Sequence, residues 1–210
     1  MNYVDADCEM EFGRYVSRET LARLKRFEEL LKNWNSYANL VSKKSIANCR
    51  ERHFKDSAQL YRLWPQNCAK WLDLGSGGGF PAIVLACHAV EYHPETVFTL
   101  VEPNSKKCRF LNMVARELEL NARAETERAE SIAPQNANVV SARALAPLAK
   151  LLSYAERHAA ADGLCIFPKG ARYSKEIDEA RRIWDFELEI VPSETDSAAA
   201  ILLTRNIRRA

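Results

Sequence analysis

Residues 71–82 read Trp71-Leu72-Asp73-Leu74-Gly75-Ser76-Gly77-Gly78-Gly79-Phe80-Pro81-Ala82 and hold four of the seven glycines in a chain of 210 residues. An apolar run ending at Leu74 predicts a buried strand, and Pro81 stands where a helix begins, so the glycines fall on a strand-to-helix turn. Backbone without Cβ atoms lets a small molecule lie against the main chain and the following helix N-terminus. A dinucleotide fingerprint needs glycines at relative positions one, three and six, but counting from Gly75 the sixth is Phe80. Asp73, two residues before the first glycine, adds negative charge where a pyrophosphate needs the opposite, and suits a cationic ligand.

Asp-x-Gly-x-Gly-x-Gly resembles the first motif of class I methyltransferases. The resemblance implies S-adenosylmethionine, a sulfonium cation with an amino acid tail. The rest of the chain agrees with such a fold. Its length allows one α/β domain of about 150 residues with a smaller appendage, and an apolar content of 47% is ample for a core. Thirty basic against 28 acidic residues leave a net charge of +2, which neither announces nor excludes an RNA partner. The longest apolar run, Phe80 to Cys87, is eight residues, and the N-terminal region carries Asp5, Asp7, Glu9 and Glu11, so a cytoplasmic protein without membrane contact is expected.

Six cysteines, at 8, 49, 68, 87, 108 and 165, show no C-x-x-C spacing and read as buried, reduced thiols. Cys87, His88 and His93 lack a fourth ligand at a recognisable spacing, so no metal site is expected.

Residues 1–66 carry helical periodicity without strand-like alternation and predict a helical N-terminal cap. Ser17 is placed to cap a helix with Leu21, Leu24, Phe27, Leu31 and Trp34 on one side; Phe54, Ala58, Tyr61 and Trp64 mark a second segment that Pro65 ends. Asn39, Ser42, His53, Asp56 and Ser57 lie among Lys43, Lys44, Arg50 and Arg52, which on spacing alone reads as a solvated edge. Residues 67–210 alternate strand and helix: strands end at Leu74 and Val101, then cover 122–126, 137–142 and 163–168, with helices from Pro81, Lys106, Pro147 and Tyr173. Such alternation predicts a doubly wound, mostly parallel Rossmann-like sheet. Phe186, Leu188 and Ile190 alternate strictly, and 198–203 is apolar, which predicts an antiparallel closing hairpin and a seven-stranded sheet.

Ligands of open α/β sheets bind beyond the C-terminal strand ends. Glu102 stands there, 23 residues past Gly79, where an acid reaches ribose hydroxyls; capping the next helix is its alternative role. Arg128, Ala129 and Glu130 follow the third strand, placed to border an adenine. Arg143 follows the fourth between apolar neighbours, and Lys169-Gly170 ends the fifth.

Gly-Ser-Gly-Gly-Gly-Phe-Pro, Glu102 with Lys106-Lys107 and Phe110-Leu111, Arg128-x-Glu130, Ser141 to Ala144, Lys169-Gly170, Asn39-Leu40 and His53-x-x-Asp56-Ser57 together resemble the bacterial 16S ribosomal RNA guanine-N7 methyltransferases called GidB or RsmG. The resemblance runs from about residue 20 to the end. It implies methylation of N7 of a guanine in the decoding-region loop of 16S ribosomal RNA, with the RNA or the small subunit as partner. Asp73, Gly75, Gly77, Phe80, Glu102, Ala129, Glu130 and Arg143 are its expected cofactor residues. Arg143, Lys169 and Asn39 are expected to orient the substrate, and basic residues at 43–52 and 205–209 to meet RNA backbone. Three positions depart from the family: Ala82 replaces a glycine, Asn138 an aspartate, and Ala142 is inserted in Ser-Arg-Ala. N7 carries an in-plane lone pair, so no general base is expected. Two other readings share parts of this pattern: a class I methyltransferase of a small molecule or protein, and a non-catalytic RNA-binding module.

Overall fold

The computed structural model describes residues 8–11 and 14–210. Two short strands open it, β1 (Cys8–Glu11) and β2 (Arg14–Ser17), paired antiparallel with Cys8 opposite Ser17. This corrects the strand-free reading of the N-terminal region. Four residues per strand are too few for alternation to register, and so short a ribbon depends on its neighbours. Ser17 then caps α1 (Arg18–Ala38), accepting from the Thr20 N–H at 3.0 Å. Leu21, Leu24, Phe27 and Leu31 are buried along one face, as their spacing predicts, joined by Leu30, while Trp34 at its end is only partly buried. Asn39 ends the helix in the left-handed region, φ 48°.

A one-turn helix α2 (Lys43–Ile46) follows. The second periodic segment is not one regular helix. It passes from a π-helical stretch over Arg50–Lys55 through α3 (Asp56–Ala58) into a 3₁₀ turn, Gln59–Leu63. Its side chains are fastened elsewhere: Tyr61 donates to the Val84 carbonyl and Gln59 accepts from the Glu194 N–H, both at 2.9 Å. Those ties set the winding where propensity alone would give a uniform helix.

The rest is a sheet of seven strands: β3 (Lys70–Leu74), β4 (Val97–Val101), β5 (Ala122–Glu125), β6 (Ala137–Ala142), β7 (Ala159–Lys169), β8 (Trp184–Pro192) and β9 (Ala200–Arg209). Their spatial order is β5-β4-β3-β6-β7-β9-β8; the first five are parallel, and β9 runs antiparallel to both neighbours. Helices α4 (Ala82–Tyr92), α5 (Ser105–Glu117), α6 (Leu148–His158) and α7 (Tyr173–Ala180) cover it. The order reverses direction at β3, which opens a crevice at the C-terminal strand ends.

Period-two alternation divides the core between the two faces. Trp71, Phe98, Val139 and Ile166 join the cluster that contains α1, α4 and α5; Leu72, Val101, Val140 and Phe167 join the one beneath α6 and α7. The cap shares the first cluster without a break: Phe27 lies 5.2 Å from both Phe54 and Phe80, ring centre to ring centre. Cys49, Cys68, Cys87, Cys108 and Cys165 are buried and free, as expected, while the Cys8 side chain lies outside the described residues. No described helix is long and apolar enough to cross a membrane.

Candidate active site

Alternation along β3 puts Asp73 on the same face as Trp71, and the parallel register sets it opposite Ser141 of β6. Ser141 Oγ donates to Asp73 Oδ1 at 2.6 Å and accepts from Trp71 Nε1 at 2.8 Å. The other oxygen, Oδ2, is buried with no partner among the described residues. Burial pushes the Asp73 carboxyl up to about 7, against the pull of the Ser141 hydrogen bond. The inserted Ala142 therefore leaves Ser141 in register with Asp73. Asn138 is equally well placed, since its Oδ1 accepts from the Ala69 and Lys70 N–H groups, a task aspartate performs identically.

The glycine turn is hung on the next strand. Gly75 donates to the Val101 carbonyl at 2.8 Å, and Gly77, at φ 54°, donates to Glu102 Oε2 at 2.9 Å. Glu102 Oε1 accepts from the Asn104 N–H, also at 2.9 Å. Glu102 is thus buried at the crevice with its carboxylate fixed by two amides, and the capping of α5 falls to Asn104, whose side chain accepts from Lys106 and Lys107. A Cβ at Gly77 would touch only the Gly75 carbonyl oxygen, at 3.8 Å, so that position on the cavity wall leaves room for a ligand.

Arg143 is held by the cap. Its Nη1 donates to the Arg52 carbonyl at 3.1 Å and Asp56 Oδ2 at 3.0 Å, its Nη2 to His53 Nδ1 at 2.9 Å, and its guanidinium lies over the Phe80 ring at 5.4 Å. Burial first, and the Arg143 charge second, lower the His53 pKa to about 4, which keeps the imidazole neutral and its Nδ1 an acceptor. Lys169, on the far wall, donates to the Ala146 carbonyl at 2.9 Å and pairs with Glu176, which also accepts from the Leu148 N–H. That pair fixes the 144–148 loop over the glycines, where Leu145 covers Gly75.

These walls enclose a cavity of about 1800 Å³, larger than the roughly 300–1,000 Å³ of a small-ligand pocket. Gly75, Gly77, Phe80, Glu102, Arg143 and Lys169 line it together. Asp73 sits beneath its floor. Ala129 and Glu130 are not part of its wall: the Ala129 carbonyl accepts from His158 Nε2 at 2.7 Å and Glu130 accepts from the Tyr154 hydroxyl at 2.7 Å. Asn39 is exposed and does not line the cavity either; the next residue does, its carbonyl 3.1 Å from where a Cβ on Gly78 would stand.

Glu176 and Thr195 are site residues that the sequence does not single out, while His53, Asp56 and Ser141 enter it only through the family resemblance. For His53 and Asp56 the signal was present: three residues apart on a helical segment, they share a side, which here faces Arg143 and not solvent. Of the basic residues expected to meet RNA, Lys44 and Arg52 stand at the mouth. Arg205, Arg208 and Arg209 do not: β9 is antiparallel, with Lys169 opposite Ala200 and Cys165 opposite Thr204, so its C-terminal end points away from the crevice. There Arg208 pairs with Asp185 and Arg209 covers Trp184. His88 stacks on Tyr61 and Tyr92, and His93 on Trp64, so both belong to an aromatic layer. Among the described residues no group of His, Cys, Asp and Glu could hold a metal ion.

Solved structures share the fold. A methyltransferase from Geobacter sulfurreducens superposes with a TM-score of 0.58 over 88% of each chain at 14% identity. A TehB-like SAM-dependent methyltransferase from Corynebacterium glutamicum gives 0.57 over 87% of this chain and 98% of that one, also at 14% identity. Sequence relatives are much nearer. The ribosomal RNA small subunit methyltransferase G of Cereibacter sphaeroides is 48% identical over 93% of this chain and 94% of its own; that of Rhodospirillum centenum is 44% identical over 93% and 88%. The family model described as rRNA small subunit methyltransferase G matches residues 20–201, and the chain belongs to this family, GidB.

Proposed function

We propose that the protein methylates N7 of a guanine in the decoding-region loop of 16S ribosomal RNA, as RNA or within the small subunit, in the cytoplasm. The observation that carries this reading is that, among the described residues, no ionisable group at the crevice floor is both unpartnered and open to the acceptor. His53 Nδ1 accepts from Arg143, Lys169 is tied to Glu176, both Glu102 oxygens accept amides, and Asp73 is buried below the glycines. Such a site suits an acceptor that loses no proton before it reacts, and N7 with its free lone pair is one.

S-adenosylmethionine supplies an electrophilic methyl group on a sulfonium centre. The residues present fit it: Gly77, at positive φ on the cavity wall, puts no side chain between a ligand and the backbone, Glu102 presents a fixed carboxylate for ribose hydroxyls, and the orphan oxygen of Asp73 gives the glycine turn the negative charge that a cationic tail needs. Ala129 and Glu130 lie outside the cavity wall and would meet at most the outer edge of the adenine, and Phe80 would form the floor between cofactor and guanine.

Among the described residues three of the five Arg143 donors are engaged, which leaves Nε–H and one Nη2 proton for the edge that would meet the substrate. That edge serves O6 of the guanine or a phosphate and must leave N7 bare, because a hydrogen bond to N7 would occupy the attacking lone pair. Lys169 sets the loop above the glycines, and Asn39 acts by turning the cap backbone onto Gly78. Lys44 and Arg52 would meet phosphates at the mouth.

Labelled methyl transfer to small subunits that lack the modification, followed by nucleoside analysis, tests the reading. The expected product is 7-methylguanosine. Arg143→Ala is expected to lower its formation about 100-fold. If Arg143→Ala and Lys169→Ala both leave cofactor affinity and methylation unchanged, the assignment of this crevice is wrong.

A further inference from the structure

Asp56 joins three separate parts of the chain. Its Oδ2 accepts from Arg143 Nη1 at 3.0 Å, while Oδ1 accepts from Thr195 Oγ1 at 2.9 Å and from Gln59 Nε2 at 2.8 Å. Thr195 belongs to the turn between β8 and β9. That turn is fastened to the cap: Glu194 donates its N–H to Gln59 Oε1 at 2.9 Å, and Arg62 pairs with the Glu194 carboxylate at 2.6 Å. The carboxylate plane of Asp56 is therefore set from the turn, and the guanidinium is set from the carboxylate.

The contacts are well suited to that task. Asp56 and Arg143 side chains are only 20% and 17% exposed, so the pair is poorly screened. Neutral His53 and the Arg52 carbonyl take two more N–H groups, and Phe80 closes one face. A long, rotamer-rich side chain is thereby held in one orientation, with its remaining donor edge free. Misplacement of an orienting group by about 1 Å costs on the order of 100-fold in rate.

We propose that Asp56, oriented by Thr195 and Gln59, is the positioning residue of Arg143, so that the β8–β9 turn sets the angle at which Arg143 meets the substrate. The inference rests on the reading that Arg143 orients the guanine or its phosphate. It assigns the C-terminal hairpin a part in the reaction although no residue of that hairpin need touch the methyl group.

Asp56→Asn keeps one oxygen for Thr195 and Gln59 but turns an amide donor toward the Arg143 donor. Thr195→Val removes one hydroxyl, which also contacts Ser193 Oγ at 3.1 Å, from a partly buried turn position and so spares the core; Thr195→Ser keeps the hydroxyl. Expected are a kcat about 100-fold lower for Asp56→Asn and about 10-fold lower for Thr195→Val, with KM for subunits, melting temperature and calorimetric affinity for S-adenosylmethionine near wild type. Thr195→Ser should restore the rate. In an Arg143→Ala background neither substitution should lower the remaining rate further. Equal rates for Asp56→Asn and wild type, or full additivity with Arg143→Ala, would overturn the positioning role while the methylation reading stands. No 7-methylguanosine from wild-type protein overturns the reading and this inference with it.

Discussion

Asp73 shows how a single residue divides its influence between folding and binding. Its carboxyl titrates near 7 in the folded chain because burial opposes charge, against an ordinary value of 3.8. A raised acid stabilises the fold most below the unfolded value, and that contribution is lost as pH rises from about 4 through 7. Asp73→Asn removes the titration while its amide oxygen can still accept from Ser141. The variant without cofactor should melt higher than wild type at pH 8, the difference shrinking to nothing at pH 4. Its affinity for S-adenosylmethionine by calorimetry should fall, since the cationic tail loses its counter-charge. Two neighbouring glycines separate packing from ligand space in the same way. A Cβ at Gly79, φ 96°, would stand 2.7 Å from Ile83 Cγ1, so Gly79→Ala should cost about 2 kcal/mol in urea unfolding. Gly77→Ala makes only an ordinary contact with the Gly75 carbonyl oxygen, at 3.8 Å, and should cost about 1 kcal/mol from its positive φ, while binding suffers more.

At the scale of elements, α1 is tied to the site through rings. Phe27 reaches Phe54 of the cap, Phe80 of the glycine turn and Phe110 of α5, at 5.2, 5.2 and 6.4 Å. Phe27→Ala opens a cavity among them and should cost about 3–5 kcal/mol by denaturant unfolding. Because Phe80 also supports His53 and Arg143, methylation should fall more than cofactor affinity. Most strands and helices of residues 67–210 were legible in the sequence from apolar runs and helical spacing, while β5, only four residues long, was legible mainly from its place in the alternation. The β1–β2 ribbon and the change of winding over 50–63 were not. The ribbon is too short to show a period, and the winding is set by partners such as Val84 and Glu194, which come much later in the chain.

At the scale of the whole molecule, one apolar cluster runs from Leu24 of α1 through Ile83 of α4 to Leu203 of β9. The cap and the sheet should therefore unfold in one transition, with calorimetric and van't Hoff enthalpies equal. A chain of residues 67–210 alone would expose the α4 and α5 faces that α1 covers, and should aggregate. Two separated thermal transitions in the full chain would contradict this shared core.

The glycine turn, the acid after the second strand and the alternation of elements are local patterns, and the sequence by itself determined from them the fold, the cofactor class and the family resemblance. What only the tertiary structure decided is who holds what. His53 and Asp56 look like a solvated edge until Arg143, some ninety positions away, is seen against them. The arginines of β9 look like an RNA contact until the strand's direction carries them to the far end of the sheet. Periodicity reports which way a side chain points from its own backbone; its partner is chosen by packing and strand order, which bring distant residues within hydrogen-bonding distance and which no local window contains.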